Sequence, residues 1–208
     1  MPISLETYAG LRPYLYHITT RSNLPWIRAG RALESAASLA AKADASSVQR
    51  ARREVGAPSA VGAGQGMLGG HSSLHARNAQ LEEGWTFERF LAHLNERVFF
   101  WPGRDVGPIH YGWRHFARDE SKGLVIIRAS FADVLHANSQ PPMFARGNVG
   151  SPRWSGGPPP VRGSRSFSSA DDASFDEGDV VEVAFQGRVV LPASAQVSDR
   201  LDGGWMPL

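Results

Sequence analysis

Two ionisable residues stand in otherwise apolar strand sequence, one near each end of the chain. Glu182 lies within residues 179–185, where simple alternation sets Val181, Val183 and Phe185 on one face and Val180, Glu182 and Ala184 on the other. A carboxylate on such a face is costly to bury unless it is partnered or opens on a cleft. Glu182 is therefore either a strand-end acid, solvated or paired with an arginine, or a group kept for chemistry. His17 poses the same alternative near the other end, sharing a strand face with Leu15 and Thr19. It is either a core histidine hydrogen-bonded to backbone or a polar handle for a ligand. Arg50, Arg52 and Arg53 precede a glycine-rich stretch. An arginine there can grip a pyrophosphate with two parallel hydrogen bonds, or simply end a helix in solvent.

Other patterns are thinner. His71 and His75 have the i, i+4 spacing of a metal pair, but the neighbouring acid of zinc proteases is missing, so they read as loop histidines. His110, His115 and His136 form no ligand set, and no metal is expected. Ser164, Ser166, Ser168 and Ser169 lack the setting of a nucleophilic serine. Trp85, Trp101 and Trp113 read as core residues.

The elements that must position these groups follow from pattern and punctuation. Residues 14–19 alternate and form a strand. A short helix follows, capped by Thr20 or Ser22, with Pro25 in its first turn, Leu24 and Ile27 on one face, and Gly30 at its end. Residues 39–53 are alanine-rich and helical; 56–70 form a small-residue loop. Thr86 caps a further helix, with Trp85 and Phe90 as a staple and Phe90, Leu91 and Leu94 as its buried stripe. Residues 97–101 make a strand that Pro102-Gly103 stops. A helix at 110–118, a strand at 123–129 and a brief helix capped by Ser130 come next. Residues 139–176, rich in Pro, Gly and Ser, form a long irregular stretch. Strands at 179–185 and 188–191 close the chain, joined by a tight turn at Gln186-Gly187. This order lacks the regular alternation of a doubly wound fold. It predicts a single α+β domain over residues 1–208 with a mainly antiparallel sheet.

Composition narrows the classes. The 208 residues are 42% hydrophobic and 20% charged, which favours one globular domain over disorder. No apolar run reaches the roughly 18 to 20 residues that cross a bilayer. The first residues lack a signal-peptide pattern. There is no cysteine, so disulfides, cysteine zinc sites and thiol nucleophiles are excluded, and the expected location is cytoplasmic. Net charge is +2, and Lys42 and Lys122 are the only lysines among 22 basic residues. Arginine is the better phosphate fork, although a GC-rich coding bias gives the same preference. An isoelectric point near 9.3 suits a nucleic-acid or dinucleotide partner without requiring one.

The run Tyr16-His17-Ile18-Thr19, then Asn23-Leu24, Ile27 and Gly30, resembles the opening of the DarT-type ADP-ribosyltransferases, bacterial toxins that modify DNA bases. The tRNA 2′-phosphotransferases begin similarly. The arginines at 50, 52 and 53 fall where the toxins have an NAD-binding arginine. The run from Arg97 through Val98, Phe99, Phe100 and Trp101 to Arg104 looks like their aromatic strand and basic turn. Glu182, between Val181 and Val183, sits where they carry the catalytic glutamate. The chain is also similar to a family of uncharacterised bacterial proteins sharing the Tyr-His-x-Thr start, the Arg-Val-Phe-Phe-Trp strand and the late Val-Glu strand. Residues 139–176 depart from the toxins, so NAD chemistry transfers better than the DNA target.

The resemblance implies an ADP-ribosyltransferase-like split sheet and a role for each residue. His17, with Thr19, Asn23 and Gly30 nearby, would bind the cofactor. Arg53 or Arg52 would neutralise its pyrophosphate. Phe99, Phe100 or Tyr111 would stack on nicotinamide, and Glu182 would steady the sugar cation that forms as nicotinamide leaves. The expected reaction is transfer of ADP-ribose from NAD, without a metal, to a macromolecule, with DNA or RNA favoured over protein. That would suit a toxin or defence effector, with an antitoxin as a further partner. The alternatives are an NAD glycohydrolase, and a non-catalytic nucleic-acid or partner-binding module using arginines with Trp154 and Phe167.

Overall fold

Ser4 starts the first helix by accepting a hydrogen bond from the Thr7 N–H at 3.2 Å, and α1 (Leu5–Leu11) follows. The sequence reading places no element there. The helix buries Tyr8, whose ring meets Phe131 and Phe144 edge-on at 5.0 and 5.2 Å. The computed structural model describes residues 2–42, 74–119, 122–152 and 159–208, and the backbone of 59–60 and 67–68.

After β1 (Tyr14–Thr20) a single 3-10 turn leads into α2 (Leu24–Gly30). Neither Thr20 nor Ser22 caps this helix; their hydroxyls bond each other at 3.0 Å. Gly30 is its last residue, yet the left-handed turn falls on Arg31, at φ 45°. A side chain rarely adopts that conformation. Arg31 is held in it by guanidinium bonds to the carbonyls of Leu208 (2.8 Å) and Pro192 (2.5 Å).

Then come β2 (Ala32–Glu34), α3 (Ala36–Lys42), β3 (Ser59–Ala60) and β4 (Met67–Leu68). The last two pair with each other, so the expected loop at 56–70 contains a small ladder. The α3 helix starts three residues earlier than alanine content suggests, and 43–53 lie outside the described residues. Thr86 caps α4 (Phe87–Asn95) by accepting from the Arg89 N–H at 3.2 Å, as its position predicts.

The strand β5 (Arg97–Arg104) does not stop at Pro102-Gly103 but runs on to pair with β6 (Gly107–Pro108). A Cβ on Gly103 would lie 2.3 Å from the Gly107 carbonyl oxygen and 2.7 Å from the Pro108 Cα. Gly103 is thus a close-approach residue inside the strand. The chain continues through α5 (His110–Asp119), β7 (Leu124–Ser130), α6 (Phe131–Ala137), β8 (Met143–Ala145), β9 (Glu182–Gln186), β10 (Arg188–Val190), β11 (Gln196–Ser198) and β12 (Met206–Pro207). The α6 helix begins at Ser130, whose hydroxyl accepts from the Asp133 N–H at 3.3 Å.

The main sheet has the order β12-β11-β7-β1-β5-β9-β8, with β6 attached to β5, and every ladder in it is antiparallel. The fold is therefore α+β with a mainly antiparallel sheet. The expected β9–β10 hairpin does not form. Gly187, at φ 70°, turns the chain out of the main sheet, and β10 pairs with β2 instead.

One sheet face carries Leu15, Phe100, Ile127, Val183 and Phe185, covered by α1, α2 and α6. The other carries two side-by-side clusters. Phe90, Leu91 and Leu94 of α4 pack on Ala145, Ala184 and Phe167, while Phe116 of α5 packs with Tyr16, Trp101 and Ile126. Full burial of a phenylalanine such as Phe90 or Phe100 stabilises by roughly 2–3 kcal/mol, so these three clusters dominate the core.

Candidate functional site

The β1 and β5 strands pair only through Tyr14–Gly103, Leu15–Pro102 and Tyr16–Trp101, whereas β1 stays paired with β7 along its whole length. Past Tyr16 the sheet splits, and β5 pairs on with β9 from Phe100 to Arg97. His17 is the first residue beyond the shared ladder. A continued register would set Ile18 opposite Phe99; instead the Phe99 carbonyl meets His17 Nδ1 at 2.9 Å. A carbonyl only accepts, so Nδ1 carries the proton and Nε2 of the neutral ring carries a lone pair. Burial pushes the His17 pKa below its ordinary value and the bond to Phe99 partly restores it, which keeps the ring neutral. The ring centre lies 5.7 Å from that of Phe100.

Glu182 opens β9 and is 5% exposed. Its register partner is Ala145, but the Val181 N–H also bonds the Ala145 carbonyl, at 2.8 Å. Two residues thus face one, as in a β-bulge, and the alternation shifts by one position. Val180 joins Val183 and Phe185 in the main core, while Val181 packs with the α5 cluster. The strict alternation expected from sequence fails here. Glu182 Oε2 accepts from the Val149 N–H at 2.9 Å, a buried charge-assisted bond. A second charge faces it from the long segment: burial pulls the Arg162 guanidinium down and the Glu182 carboxylate draws it back up.

Both strands flank β5, which puts their backbones roughly 10 Å apart at ordinary strand spacing. His17 leaves β1 on the face of Leu15, with its ring beside Phe100, whereas Glu182 shares the opposite face with Ala184. The strand order brings the two residues close, but their side chains start from opposite faces of the sheet. Thr19 is buried and accepts a hydrogen bond from Asn23 Nδ2 at 2.9 Å, so these two are tied to each other just beyond His17. Phe99 is half-buried, 5.9 Å from Phe167, and Phe100 is fully buried. Gly30 lies at the far end of α2, and nothing approaches the position a Cβ would take. Tyr111 stands exposed on α5 beside His110. Arg50, Arg52, Arg53, His71 and Trp154 lie outside the described residues. No group of three or more His, Cys, Asp or Glu among the described residues could hold a metal ion.

Sequence reasoning missed Arg162 and noted His115 only as a histidine outside any ligand set. Arg162 is only 4% exposed although it lies in a Pro- and Gly-rich stretch with no periodicity to mark it. The only sequence signal is the apolar Val161 before it. His115 projects from α5 against Trp101, with ring centres 6.1 Å apart. Burial, aided by the Arg118 charge, pushes its pKa down to about 4. Trp101 is the register partner of Tyr16, the last β1 residue paired with β5, so His115 packs beside the point where the two strands part.

An acid and a neutral histidine on the two strands beside β5, where an antiparallel sheet divides, define an α+β protein with its candidate site at the split. Residues 13–195 match the family of unknown function DUF7002, and the chain belongs to that family. No curated protein and no solved structure matches it.

Proposed function

We propose that this chain is an NAD-dependent ADP-ribosyltransferase, acting at the split of the sheet and transferring ADP-ribose to a macromolecular acceptor, foremost a nucleic-acid base. The observation that carries the reading is the placement of His17 and Glu182 on the strands that flank β5, with His17 at the point where β1 and β5 part. It is joined by the resemblance of the Tyr-His-x-Thr opening and the late Val-Glu strand to the DarT-type enzymes.

In this reading the His17 Nε2 lone pair accepts a hydrogen bond from a ribose hydroxyl, while Nδ1–H stays on the Phe99 carbonyl. The bond between C1′ of the nicotinamide ribose and the pyridinium nitrogen breaks. Its electron pair leaves with nicotinamide, and the C1′ centre becomes a sugar cation. The Glu182 carboxylate, in a site of low dielectric, stabilises charge that exists only near the transition state. The acceptor nitrogen or oxygen bonds C1′ and releases a proton. Arg52 or Arg53 would balance the pyrophosphate, and Phe99 or Tyr111 is assigned the nicotinamide face. The setting proposed is a toxin or defence effector.

The test is incubation of the purified chain with adenine-labelled NAD and separate pools of DNA, RNA and protein. Label in one pool, abolished by Glu182→Gln without loss of folding, is the expected result. Free ADP-ribose with no labelled macromolecule would make the chain an NAD glycohydrolase. One observation favours a non-catalytic binding module: Glu182 is buried and tied to the Val149 N–H, as a structural acid would be. That reading predicts salt-sensitive nucleic-acid binding with no nicotinamide release.

A further inference from the structure

Glu182 does not hold its position alone. The Val149 N–H that it accepts belongs to a turn closed by the Ser151 N–H on the Asn148 carbonyl at 3.1 Å. The far end of that turn is fastened by a different side chain, because Arg162 Nη2 donates to the Ser151 carbonyl. One four-residue turn is thus anchored at Val149 by the acid and at Ser151 by the arginine.

Arg162 is itself fixed. Its N–H donates to the Gln80 carbonyl at 2.8 Å, and its carbonyl accepts from the Glu82 N–H at 2.9 Å. Its guanidinium lies 6.0 Å over the Phe90 ring of α4. Arg162 grips the Ser151 carbonyl and its charge acts on Glu182, so its influence passes through the turn and through the field of its charge. Among the described residues its buried Nη1 has no hydrogen-bond partner. Burying a guanidinium with a donor unmet is expensive.

We propose that Arg162 is a positioning residue, which orients the Glu182 carboxylate by clamping the 148–151 turn whose Val149 N–H grips it. The catalytic consequence rests on the ADP-ribosyltransferase reading; the mechanical link does not. The arginine stem and fork together span from the 80–82 segment to the turn, so Lys can reach but offers one point charge in place of two directed donors. Methionine fills the volume and supplies neither.

The experiment compares the full chain with Arg162→Lys and Arg162→Met in two readouts. Amide hydrogen exchange at Val149 should accelerate by roughly tenfold in Arg162→Met, the scale of one lost hydrogen bond. Exchange at the central-strand residues Val125 and Ile127 should not change. Nicotinamide release should show kcat falling by roughly 10- to 100-fold with KM for NAD within about threefold, because the acid is misplaced rather than the cofactor lost. Arg162→Lys should recover part of both. Unchanged Val149 exchange in Arg162→Met would overturn the proposal, as would faster exchange with undiminished kcat. A wild-type chain that releases no nicotinamide, while Val149 exchange still accelerates in the variant, would overturn the functional reading and uphold the clamp.

Discussion

His17 donates from one ring nitrogen to a backbone carbonyl, which leaves a lone pair on the other. Asn can reproduce the donor to Phe99 but not the lone pair on Nε2, which separates a structural from a ligand-binding role. In the proposed enzyme, His17→Asn should stay within about 1 kcal/mol of the wild type in stability, the most that losing the one neutral hydrogen bond to Phe99 would cost if Asn failed to keep it. Its KM for NAD should rise, as read by nicotinamide release. Glu182→Gln keeps an acceptor for the Val149 N–H and removes the charge. It should lower kcat by roughly 100-fold or more, the scale of a lost electrostatic stabiliser. Equal turnover in both proteins would remove Glu182 from the chemistry.

Among the elements, α4 is the support on which Arg162 and the second core cluster rest. Its start depends on the Thr86 hydroxyl taking the Arg89 N–H. Thr86→Ala should therefore cost about 1 kcal/mol, seen as a fall in melting temperature of roughly 2–4 °C for a chain of this size. The β5–β6 corner is less forgiving, because Gly103 faces backbone atoms that cannot move aside. Gly103→Ala should destabilise by about 1–3 kcal/mol or more, and chemical denaturation would measure it. Since β5 carries both candidate strands, that variant should also lose site geometry.

The whole molecule keeps several histidines neutral by burying them. His93 and His115 are each pushed down to about 4 from an ordinary 6.5, and His17 is also lowered. The unfolded chain protonates His93 and His115 near pH 6.5, while the folded chain keeps both neutral until about pH 4. Protons therefore favour unfolding across that window, and stability falls as the pH drops from about 6.5 toward 4. Urea midpoints measured over this range should show the fall, and His93→Gln with His115→Gln should flatten it. No helix among the described residues is long and apolar enough to cross a membrane.

Local chemistry made part of this protein legible in advance. The Thr86 and Ser130 caps, the stripe of Phe90, Leu91 and Leu94, and the strands at both ends are set by residues within a few positions of one another, so the sequence alone determines them. It also marks His17 and Glu182 as ionisable groups in apolar strands. Pairing is a different matter, because a strand does not encode its neighbour. Only the tertiary structure decided that β10 joins β2 and not β9, that β5 runs through Gly103 to meet β6, and that a bulge at Val181 and Glu182 shifts the faces. Arg162 was illegible for the same reason: its partners, Gln80, Glu82, Phe90 and Ser151, come from three distant stretches of chain. Long-range contacts of that kind arise from packing, which no local pattern records.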